Sequence, residues 1–383
     1  MKKIAFSTLL TATLLIMATY CHNPIQQANQ AMNDIVEELN AVGLSVAIVK
    51  NNQLVYTGSF GAKNIDKGTL INVDDIFRIA SISKSFTATA IMQLYEQGKF
   101  GLDDDVSLAL KLPVHNPNYP DIPITYRMLL THTSSLNDTT GYFSFDVIDP
   151  QKTKEVWQAY NLYAPGTQYE YCNLGFNMLG ALIEIHSGER FDLYIKNHIL
   201  DPLELNAGFN VDALDQSQFV TLYNYNNEQF TESSDSYLSR KIELESYIMG
   251  YTTPIFSPTG GMKIAPKDLA KHMLVQMNQG TFNGVQILKP ESVKAMQTPF
   301  EYPGKTEDYG FAITTTTKLI EGETLKGHTG SAYGLYSAMF FEPEKKFGFV
   351  MMTNGYPAER NDNGFLTIQS EVINALYKIF IKP

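Results

Sequence analysis

Hydrophobic and polar residues near the start of the chain follow two different periods. Between residues 28 and 39 the apolar side chains recur three and four positions apart, which predicts a helix with Gly43 placed as its C-cap. Two runs with strand composition follow at residues 44–49 and 54–60, and an Asn-Asn pair lies between them. Such pairs are typical of tight turns, so this segment predicts a β-hairpin.

Apolar stretches farther along predict buried helices. Residues 79–97 are mostly apolar and stop at Gly98, a residue that commonly ends a helix. Residues 174–186 have the same character and stop at Gly188. A third helix is predicted over residues 266–279, because it opens with a proline, which is favoured in the first helical turn.

The C-terminal part of the chain returns to strand composition, and this decides the fold class. Residues 309–315, 336–341 and 347–352 are rich in β-branched and aromatic side chains, and a helix is predicted over residues 366–380. Strands near both ends with helices between them predict an α/β (α+β) fold. We expect an antiparallel sheet built from both termini, flanked by helices and interrupted by a mainly helical insertion.

The predicted domain covers residues 42–383. Its sheet part is formed by about residues 42–110 and 257–383, and the helical insertion by about residues 111–256. Within the insertion, residues 216–239 are polar and rich in Tyr and Asn, which predicts an exposed excursion.

The first twenty residues have the pattern of a secretory signal peptide. A short positively charged start precedes an uncharged apolar stretch that is too short for a comfortable membrane span. Cys21 follows directly, as in lipoproteins whose cysteine is acylated, but Tyr20 stands where a small residue is preferred. Lipid anchoring through Cys21 and plain secretion are therefore two alternatives. Either predicts an exported protein in the periplasm, at the outer membrane or outside the cell. Residues 21–41 would then form a tether, up to about Gln30, and the N-terminal helix.

Composition and charge exclude several classes of function. The chain has 383 residues, of which 44% are hydrophobic and 18% charged, a balance typical of globular proteins. Its formal net charge is −11 and no Lys/Arg-rich run stands out, so nucleic acid is not an expected partner. Two cysteines, Cys21 and Cys172, are too few for a disulfide framework or a cysteine-based zinc site. No metal and no other cofactor is expected.

The strongest chemical signal is Ser81 followed three residues later by Lys84, at the start of a predicted helix. This spacing puts both side chains on one face, within hydrogen-bond reach. A lysine among apolar residues has a lowered pKa and can accept the proton of a serine hydroxyl, which is otherwise a weak nucleophile. Taken alone, Ser-x-x-Lys also occurs by chance on protein surfaces.

A second motif is Tyr171 with Asn173, in a loop that enters a helix. A phenol can relay protons where nearby cations lower its pKa, and an amide can bind a peptide-like group. Taken alone, the pair equally fits a buried tyrosine and a helix N-cap.

A third motif is His328-Thr329-Gly330-Ser331, a predicted strand edge whose glycine lets a substrate backbone approach closely. His328 can hydrogen-bond a substrate carboxylate or the phenol of Tyr171. The backbone N–H of Ser331 can form an oxyanion hole with the N–H of the motif serine. Taken alone, a plain surface histidine is the simpler interpretation.

In this order and at these separations, the three motifs resemble the serine β-lactamase and penicillin-binding protein superfamily. The branch most similar is the class C-type group, which holds class C β-lactamases, D-alanyl-D-alanine carboxypeptidases, D-aminopeptidases and related esterases. The resemblance runs from about residue 42 to the C-terminus and includes the segments 42–49, 129–136 and 260–262. It implies a β-lactamase/transpeptidase-like fold.

The resemblance also implies a role for each residue. Ser81 is the acylated nucleophile, and Lys84 and Tyr171 share the acid–base work, with the identity of the general base left open. Asn173 holds the substrate amide, and the strand 328–331 docks the substrate.

Departures from the family pattern are few. Ser135 stands where many members carry glycine, and Cys172 stands where serine is usual. No segment corresponds to the deacylating glutamate of class A enzymes. His132 and His186 are two further candidate bases, but a packed or capping role is the preferred interpretation for each.

The implied activity is hydrolysis of an amide or ester through an acyl-enzyme. His328 replaces the lysine of a Lys-Thr-Gly strand, which favours a D-alanyl-D-alanine carboxypeptidase-like or other peptidase activity over efficient β-lactam hydrolysis. Expected partners are small-molecule or peptide substrates, cell-wall peptide among them. The alternatives are an esterase, a weak class C-type β-lactamase or, in another class, a non-hydrolytic penicillin-binding sensor. The sequence leaves the physiological substrate and the oligomeric state open.

Overall fold

The computed structural model describes residues 23–382, so the predicted signal peptide and Cys21 lie outside the described residues. The strands are β1 (Gly43–Lys50), β2 (Gln53–Asn64), β3 (Thr69–Leu70), β4 (Phe77–Arg78), β5 (Ala207–Gly208), β6 (Tyr223–Asn226), β7 (Gln229–Glu232), β8 (Lys263–Ile264), β9 (Thr281–Phe282), β10 (Val285–Gln286), β11 (Thr314–Thr316), β12 (Leu325–Ala332), β13 (Leu335–Glu342) and β14 (Phe347–Thr353). The helices are α1 (Pro24–Glu38), α2 (Ser83–Glu96), α3 (Val106–Leu110), α4 (Tyr126–Leu130), α5 (Asn173–Ser187), α6 (Phe191–Ile195), α7 (Lys241–Glu245), α8 (Pro266–Met277), α9 (Pro290–Gln297) and α10 (Thr367–Leu376).

The main sheet has seven antiparallel strands in the spatial order β11-β12-β13-β14-β1-β2-β3. The predicted fold class is therefore confirmed: strands from both ends of the chain form one antiparallel sheet. The predicted hairpin is present as β1 and β2. Asn51 and Asn52 both have positive φ, 52° and 61°, which is the backbone that a tight hairpin turn requires.

Two hydrophobic cores lie on opposite faces of this sheet, because successive side chains of a strand point to opposite sides. Val46 and Ile48 of β1 belong to the core shared with α1 and α10. Ala47 and Val49 belong to the larger core shared with α2, α5 and α8. Both faces are covered by helices, so β1 and β14 are apolar along nearly their whole length rather than alternating.

The helical part of the chain is attached to the sheet around the start of α2. Helix α2 packs against α5, and a small three-stranded sheet, β4-β8-β5, joins the segment before α2 to the segment after α6 and to the segment before α8. This arrangement brings the first residues of α2, the first residues of α5 and strand β12 to one place.

Three sequence predictions differ from the structure. Helix α1 begins at Pro24, with Asn23 as its N-cap, so the segment to Gln30 is helical rather than a tether. The strand predicted over residues 309–315 is shorter and begins later, at Thr314–Thr316. Residues 216–239 are not a simple exposed excursion, because they contain the hairpin β6–β7 and several buried side chains.

Among residues 23–382, none of the helices combines the length and the apolar composition needed to cross a bilayer.

Candidate active site

Ser81 lies in a single 3₁₀ turn, Ala80–Ile82, that leads directly into α2. Ala80 has a φ of 48°, in the left-handed region that residues other than glycine rarely adopt. This backbone turns the chain sharply between β4 and α2. Ser81 is therefore left half-exposed at the helix start, while Ser83 and Lys84 are buried.

Lys84 is fully buried, and its ammonium group has three hydrogen-bond acceptors. Nζ lies 3.2 Å from Ser81 Oγ, 2.9 Å from Asn173 Oδ1 and 2.9 Å from the carbonyl oxygen of Thr259. Burial lowers the pKa of Lys84 to about 7, although the nearby carboxylate of Asp138 acts in the opposite direction. A substantial fraction of the molecules therefore holds a neutral amine at this position near neutral pH.

Tyr171 occupies the other side of the nucleophile. Its hydroxyl donates to Ser81 Oγ at 2.8 Å, and its ring lies 4.7 Å from Lys84 Nζ. Burial raises the pKa of this phenol above its ordinary value, and the hydrogen bond to Ser81 only partly offsets that rise. Tyr171 is therefore a neutral proton donor in the resting site.

Asn173 is the first residue of α5 and is held at both ends of its amide. Oδ1 accepts from Lys84 at 2.9 Å and from the hydroxyl of Thr259 at 2.6 Å, while Nδ2 donates to Asp138 at 2.8 Å. One N–H of Nδ2 has no partner among residues 23–382, so the amide can still donate to a substrate carbonyl.

The carboxylate of Asp138 is a site residue that the sequence analysis missed. It accepts from Asn173 Nδ2 and also from the backbone N–H groups of Asn173 and Leu174, at 2.9 and 3.0 Å. It thus caps the N-terminus of α5 from a distant loop, where negative charge is favourable. Asp138 is a positioning residue, because it fixes Asn173 and, through Asn173, the amine of Lys84.

These contacts define a route for one proton. A neutral Lys84 amine keeps two N–H bonds, to Asn173 and Thr259, and directs its lone pair toward the Ser81 hydroxyl. Ser81 then donates to Lys84 while it accepts from Tyr171. The geometry thus suits a serine nucleophile with a lysine acceptor on one side and a phenol donor on the other.

Strand β12 forms the opposite wall of the site through its backbone. A Cβ atom on Gly330 would lie 2.3 Å from the carbonyl oxygen of Ile79 and 2.4 Å from Ser337 Oγ, so only glycine allows this approach. The next residue, Ser331, is exposed and lines a cavity of about 260 Å³ together with Ser81 and Asn173. Thr329 is half-buried and does not line this cavity.

His328 differs from its sequence expectation. Its ring is 7% exposed, Nε2 lies 3.1 Å from the hydroxyl of Tyr309, and Nδ1 lies 2.5 Å from the carbonyl oxygen of Thr329. Both ring nitrogens are engaged, so neither is available to a substrate carboxylate or to Tyr171. Burial, together with the charge of Lys84, lowers the pKa of His328 to about 4, which leaves the ring neutral at ordinary pH.

The two other histidines considered as bases, and the two positions that depart from the family pattern, have contacts or backbone geometry typical of structural residues. His132 is buried, and its Nδ1 accepts from the backbone N–H of Cys172 at 3.1 Å, while His186 bonds the hydroxyl of Tyr126 at 2.6 Å. Cys172 is a buried free thiol whose Sγ lies 3.4 Å from Asp138. Ser135 has a φ of 63°, which is the physical reason that glycine suits this position.

No group of three or more His, Cys, Asp or Glu side chains among residues 23–382 is arranged to hold a metal ion.

A seven-stranded antiparallel sheet, with a buried lysine and a phenol around one serine, is the arrangement expected of the serine β-lactamase and penicillin-binding protein superfamily. The chain belongs to the beta-lactamase family, whose model matches residues 28–369. The superfamily expected from the three motifs is therefore confirmed.

Two curated relatives have informative names. The protein flp of Staphylococcus aureus is 24% identical over 337 residues, which cover 86% of this chain and 62% of flp. Penicillin-binding protein 4* of Bacillus subtilis is 26% identical over 321 residues, which cover 81% of this chain and 67% of that protein. The chain thus spans about three fifths of the length of flp.

Solved structures give the same picture of the fold. The octameric penicillin-binding protein homologue from Pyrococcus abyssi superposes with a TM-score of 0.71 at 25% identity, over 92% of this chain and 76% of that one. The structure of SurE superposes with a TM-score of 0.68 at 18% identity, over 93% of this chain and 75% of that one, and this likeness shows the fold alone.

Proposed function

We propose that this protein hydrolyses an amide or ester through an acyl-enzyme on Ser81, with a D-alanyl-D-alanine carboxypeptidase-like peptidase activity as the best-supported form. The observation that carries the proposal is the position of Ser81 Oγ, 3.2 Å from Lys84 Nζ and 2.8 Å from Tyr171 Oη. Membership of the beta-lactamase family and the name of the Bacillus subtilis relative support it.

In the proposed acylation step, Ser81 Oγ attacks the substrate carbonyl carbon and its proton passes to the neutral amine of Lys84. The backbone N–H groups of Ser81 and Ser331 stabilise the negative oxygen that forms. Tyr171 then protonates the leaving group and recovers a proton from Lys84. In the second step, water attacks the carbonyl carbon of the acyl-enzyme and gives a proton to Tyr171, which passes a proton on to Lys84. The bond to Ser81 Oγ then breaks, Lys84 returns a proton to Ser81, and the acid is released.

The two pKa directions favour Lys84 over Tyr171 as the general base. Burial moves the pKa of Lys84 down to about 7 and moves that of Tyr171 up, so near pH 7 the amine is the group whose basic, unprotonated form is populated. Efficient general bases have pKa values close to the working pH. We therefore assign the base to Lys84 and the acid to Tyr171.

An esterase is the second candidate, and the burial of His328 favours it. A neutral, fully bonded His328 leaves β12 without a charged side chain for a substrate carboxylate at this position. Neutral esters need no such charge. The two candidates share the same nucleophile and differ only in how the cleft recognises its substrate.

The proposal is tested by covalent labelling. Wild type should be labelled by a fluorophosphonate and by a fluorescent penicillin, and Ser81→Ala should lose both labels and about 10⁶-fold in hydrolysis rate. The matched control is Ser331→Ala, which removes an exposed hydroxyl of the same cavity, retains the backbone N–H and should keep the label. Labelling that persists in Ser81→Ala would refute the nucleophile.

Turnover distinguishes the enzyme from a penicillin-binding sensor. An enzyme should release the label within minutes or hydrolyse D-Ala-D-Ala peptides or short-chain esters repeatedly. Stable acylation of Ser81, without release and without hydrolysis of any of these substrates, would support the sensor instead.

We further propose that the protein is exported and that its mature chain begins at or near Cys21, as the pattern of residues 1–21 suggests. Mass spectrometry of protein from its native host tests this. An acylated Cys21 would support membrane anchoring and an unmodified start near residue 21 would support secretion. An intact Met1 start in cytoplasmic protein would contradict export.

A further inference from the structure

Arg78 lies three residues before Ser81, at the end of β4, and is 6% exposed. It borders the same cavity of about 260 Å³ as Ser81 and Ser331. Neither the spacing of the three motifs nor the family resemblance assigns this residue a role. A nearly buried guanidinium in the wall of a catalytic cavity is expensive unless a partner stabilises its charge.

The protein holds Arg78 in place without neutralising it. Nε donates to the carbonyl oxygen of Gly260 at 3.0 Å, and Nη1 donates to the carbonyl oxygen of Ser236 at 3.2 Å. Among residues 23–382, no carboxylate forms an ion pair with Arg78, and no hydrogen bond engages Nη2. Three of the five N–H groups, including both on Nη2, are therefore available to a ligand.

The groups around Arg78 do not supply the missing negative charge. The ionisable groups that interact electrostatically with it are the phenols of Tyr142, Tyr237 and Tyr333 and the basic side chains of Arg240 and Lys263. The centre of the Tyr333 ring lies 4.8 Å from Cζ of Arg78. This stacking stabilises the orientation of the planar guanidinium group. Burial lowers the pKa of Arg78, so an anion in the cavity would relieve a real desolvation cost.

The segment 259–260 fixes Arg78 relative to the nucleophile. The carbonyl of Thr259 accepts from Lys84, and the next carbonyl, of Gly260, accepts from Arg78. Two neighbouring peptide groups thus hold the amine of Lys84 and the guanidinium of Arg78. Lys84 is engaged by Ser81, Asn173 and the carbonyl of Thr259. His328 is neutral and both of its ring nitrogens are bonded. Among the residues that line the cavity, Arg78 is therefore the one with a cationic side chain.

We propose that Arg78 forms a carboxylate-binding subsite beside Ser81, so that the preferred amide or ester substrates carry a carboxylate near the bond that is cleaved. The planar fork of arginine suits a carboxylate because it can donate two parallel N–H bonds. The rings of Tyr142, Phe143 and Tyr333 line the same cavity and would pack against the apolar part of such a substrate. This inference rests on the proposed function.

The first experiment compares two matched pairs of esters. One pair carries the charge on the acyl side: 4-nitrophenyl hydrogen glutarate and its methyl ester. The other carries it on the leaving group: 3-acetoxybenzoate and its methyl ester. The measured quantity is the ratio of kcat/KM for the charged ester to that for the neutral ester. In Arg78→Gln this ratio should fall about 10-fold to 100-fold for at least one pair, as expected when a charged hydrogen bond is lost.

Two further variants sharpen the result. Arg78→Lys keeps the charge but loses the two-pronged geometry, so its ratio should lie between those of wild type and Arg78→Gln. Arg127→Gln removes an arginine that is already paired with Asp103 at the surface and should leave the ratio unchanged. An unchanged ratio in a folded Arg78→Gln, for both pairs, would overturn the proposal.

The second experiment needs neither a variant nor turnover. Calorimetric titration of wild type with benzoate and with benzamide compares a carboxylate with a neutral group of the same shape. Benzoate should bind at least about 10-fold more tightly. Equal affinities, or no binding of benzoate, would overturn the subsite even if Ser81 is acylated. Benzoate binding without any labelling of Ser81 would instead leave the subsite standing and refute the proposed hydrolysis.

Discussion

The two walls of the candidate active site work in different ways. On the helical wall, polar side chains from α2, α5 and a loop satisfy one another around Ser81, and a single hydrogen-bond network fixes them all. On the strand wall, β12 contributes glycine packing and backbone, while its histidine is buried against Tyr309. The comparison shows that the Ser81–Lys84 motif acts through its side chains, whereas the motif on β12 acts through the position of its backbone.

The largest effect is expected at the helical wall. Lys84→Met should lower the acylation rate by about 10²–10⁴, because it removes the proton acceptor. The exposed Lys99→Met is the control. Rates within tenfold of wild type would show that Tyr171 alone serves as the base.

Lys84 should also give the protein a characteristic dependence of stability on pH. Its folded pKa of about 7 lies below the ordinary 10.5, so between these values the unfolded chain binds more protons and stability rises with pH. Relative to Lys84→Met, wild type should gain at most about 1.4 kcal/mol per pH unit in this window. Urea titrations of both proteins at pH 6 to 10 measure this gain, and parallel curves would contradict the lowered pKa.

To disrupt the strand wall to a comparable extent, a substitution must displace the backbone of β12, because removing a polar side chain there would not be enough. Gly330→Ala should reduce kcat/KM for a neutral ester by about 10²-fold, because its Cβ would push β12 away from the Ser81 turn. Gly208→Ala is a matched control, since its Cβ would meet only ordinary contacts at 3.5 Å or more. Equal activity of the two variants would mean that β12 does not position the substrate.

A substitution at Asp138 should change the pKa of Lys84 while the catalytic side chains stay in place. Asp138→Asn removes a negative charge that raises the pKa of Lys84, so that pKa should fall. The acid limb of the pH–rate profile for a neutral ester should then move to lower pH by about one unit. Asp121→Asn, an exposed acid, is the control. A shift toward alkaline pH would contradict both the assigned base and the role of Asp138.

The smallest effect on catalysis is expected from the strand histidine. His328→Gln should cost about 1–3 kcal/mol of stability through the loss of its bond to Tyr309 but change the rate less than tenfold. Tyr309→Phe breaks the same bond from the other side, so a double-mutant cycle should show coupling between them. A shifted pH–rate midpoint in His328→Gln would mean that this histidine titrates with the catalytic groups.

The part of the helical wall that could be predicted from spacing is local. Ser81 and Lys84 are one helical turn apart, so their spacing alone puts them on one face. Tyr171 and Asn173 follow about 90 residues later, and only the family resemblance connected them with Ser81 and Lys84. Asp138 and Thr259 could not be found in this way, because they reach the site from loops far away in the chain.

Burial explains the other errors of prediction. The strand composition near residue 309 reflects Tyr309, which is buried against His328 and not paired in a long strand. The Tyr-rich segment 216–239 was expected to be exposed, yet Tyr237 bonds the backbone of Arg78 and Tyr223 packs under the β12–β13 turn. A polar and aromatic composition does not show whether a segment is exposed to solvent or packed in the wall of a cleft. Arg78 could not be recognised either, because its burial and its place in the cavity wall follow from contacts with residues far away in the chain.

The position of β14 has a consequence for how the protein folds. This strand lies between β13 and β1, and Val46 is paired with Met351 from nearly the opposite end of the chain. The two halves of the sheet are thus joined only by a strand that is synthesised about 300 residues after β1. Pairings so distant in sequence close slowly, because the entropy of a very long loop is lost before any contact forms. Until β14 pairs with β1, the β1–β2 hairpin presents an unpaired apolar edge to other chains, which favours aggregation of the incompletely folded chain.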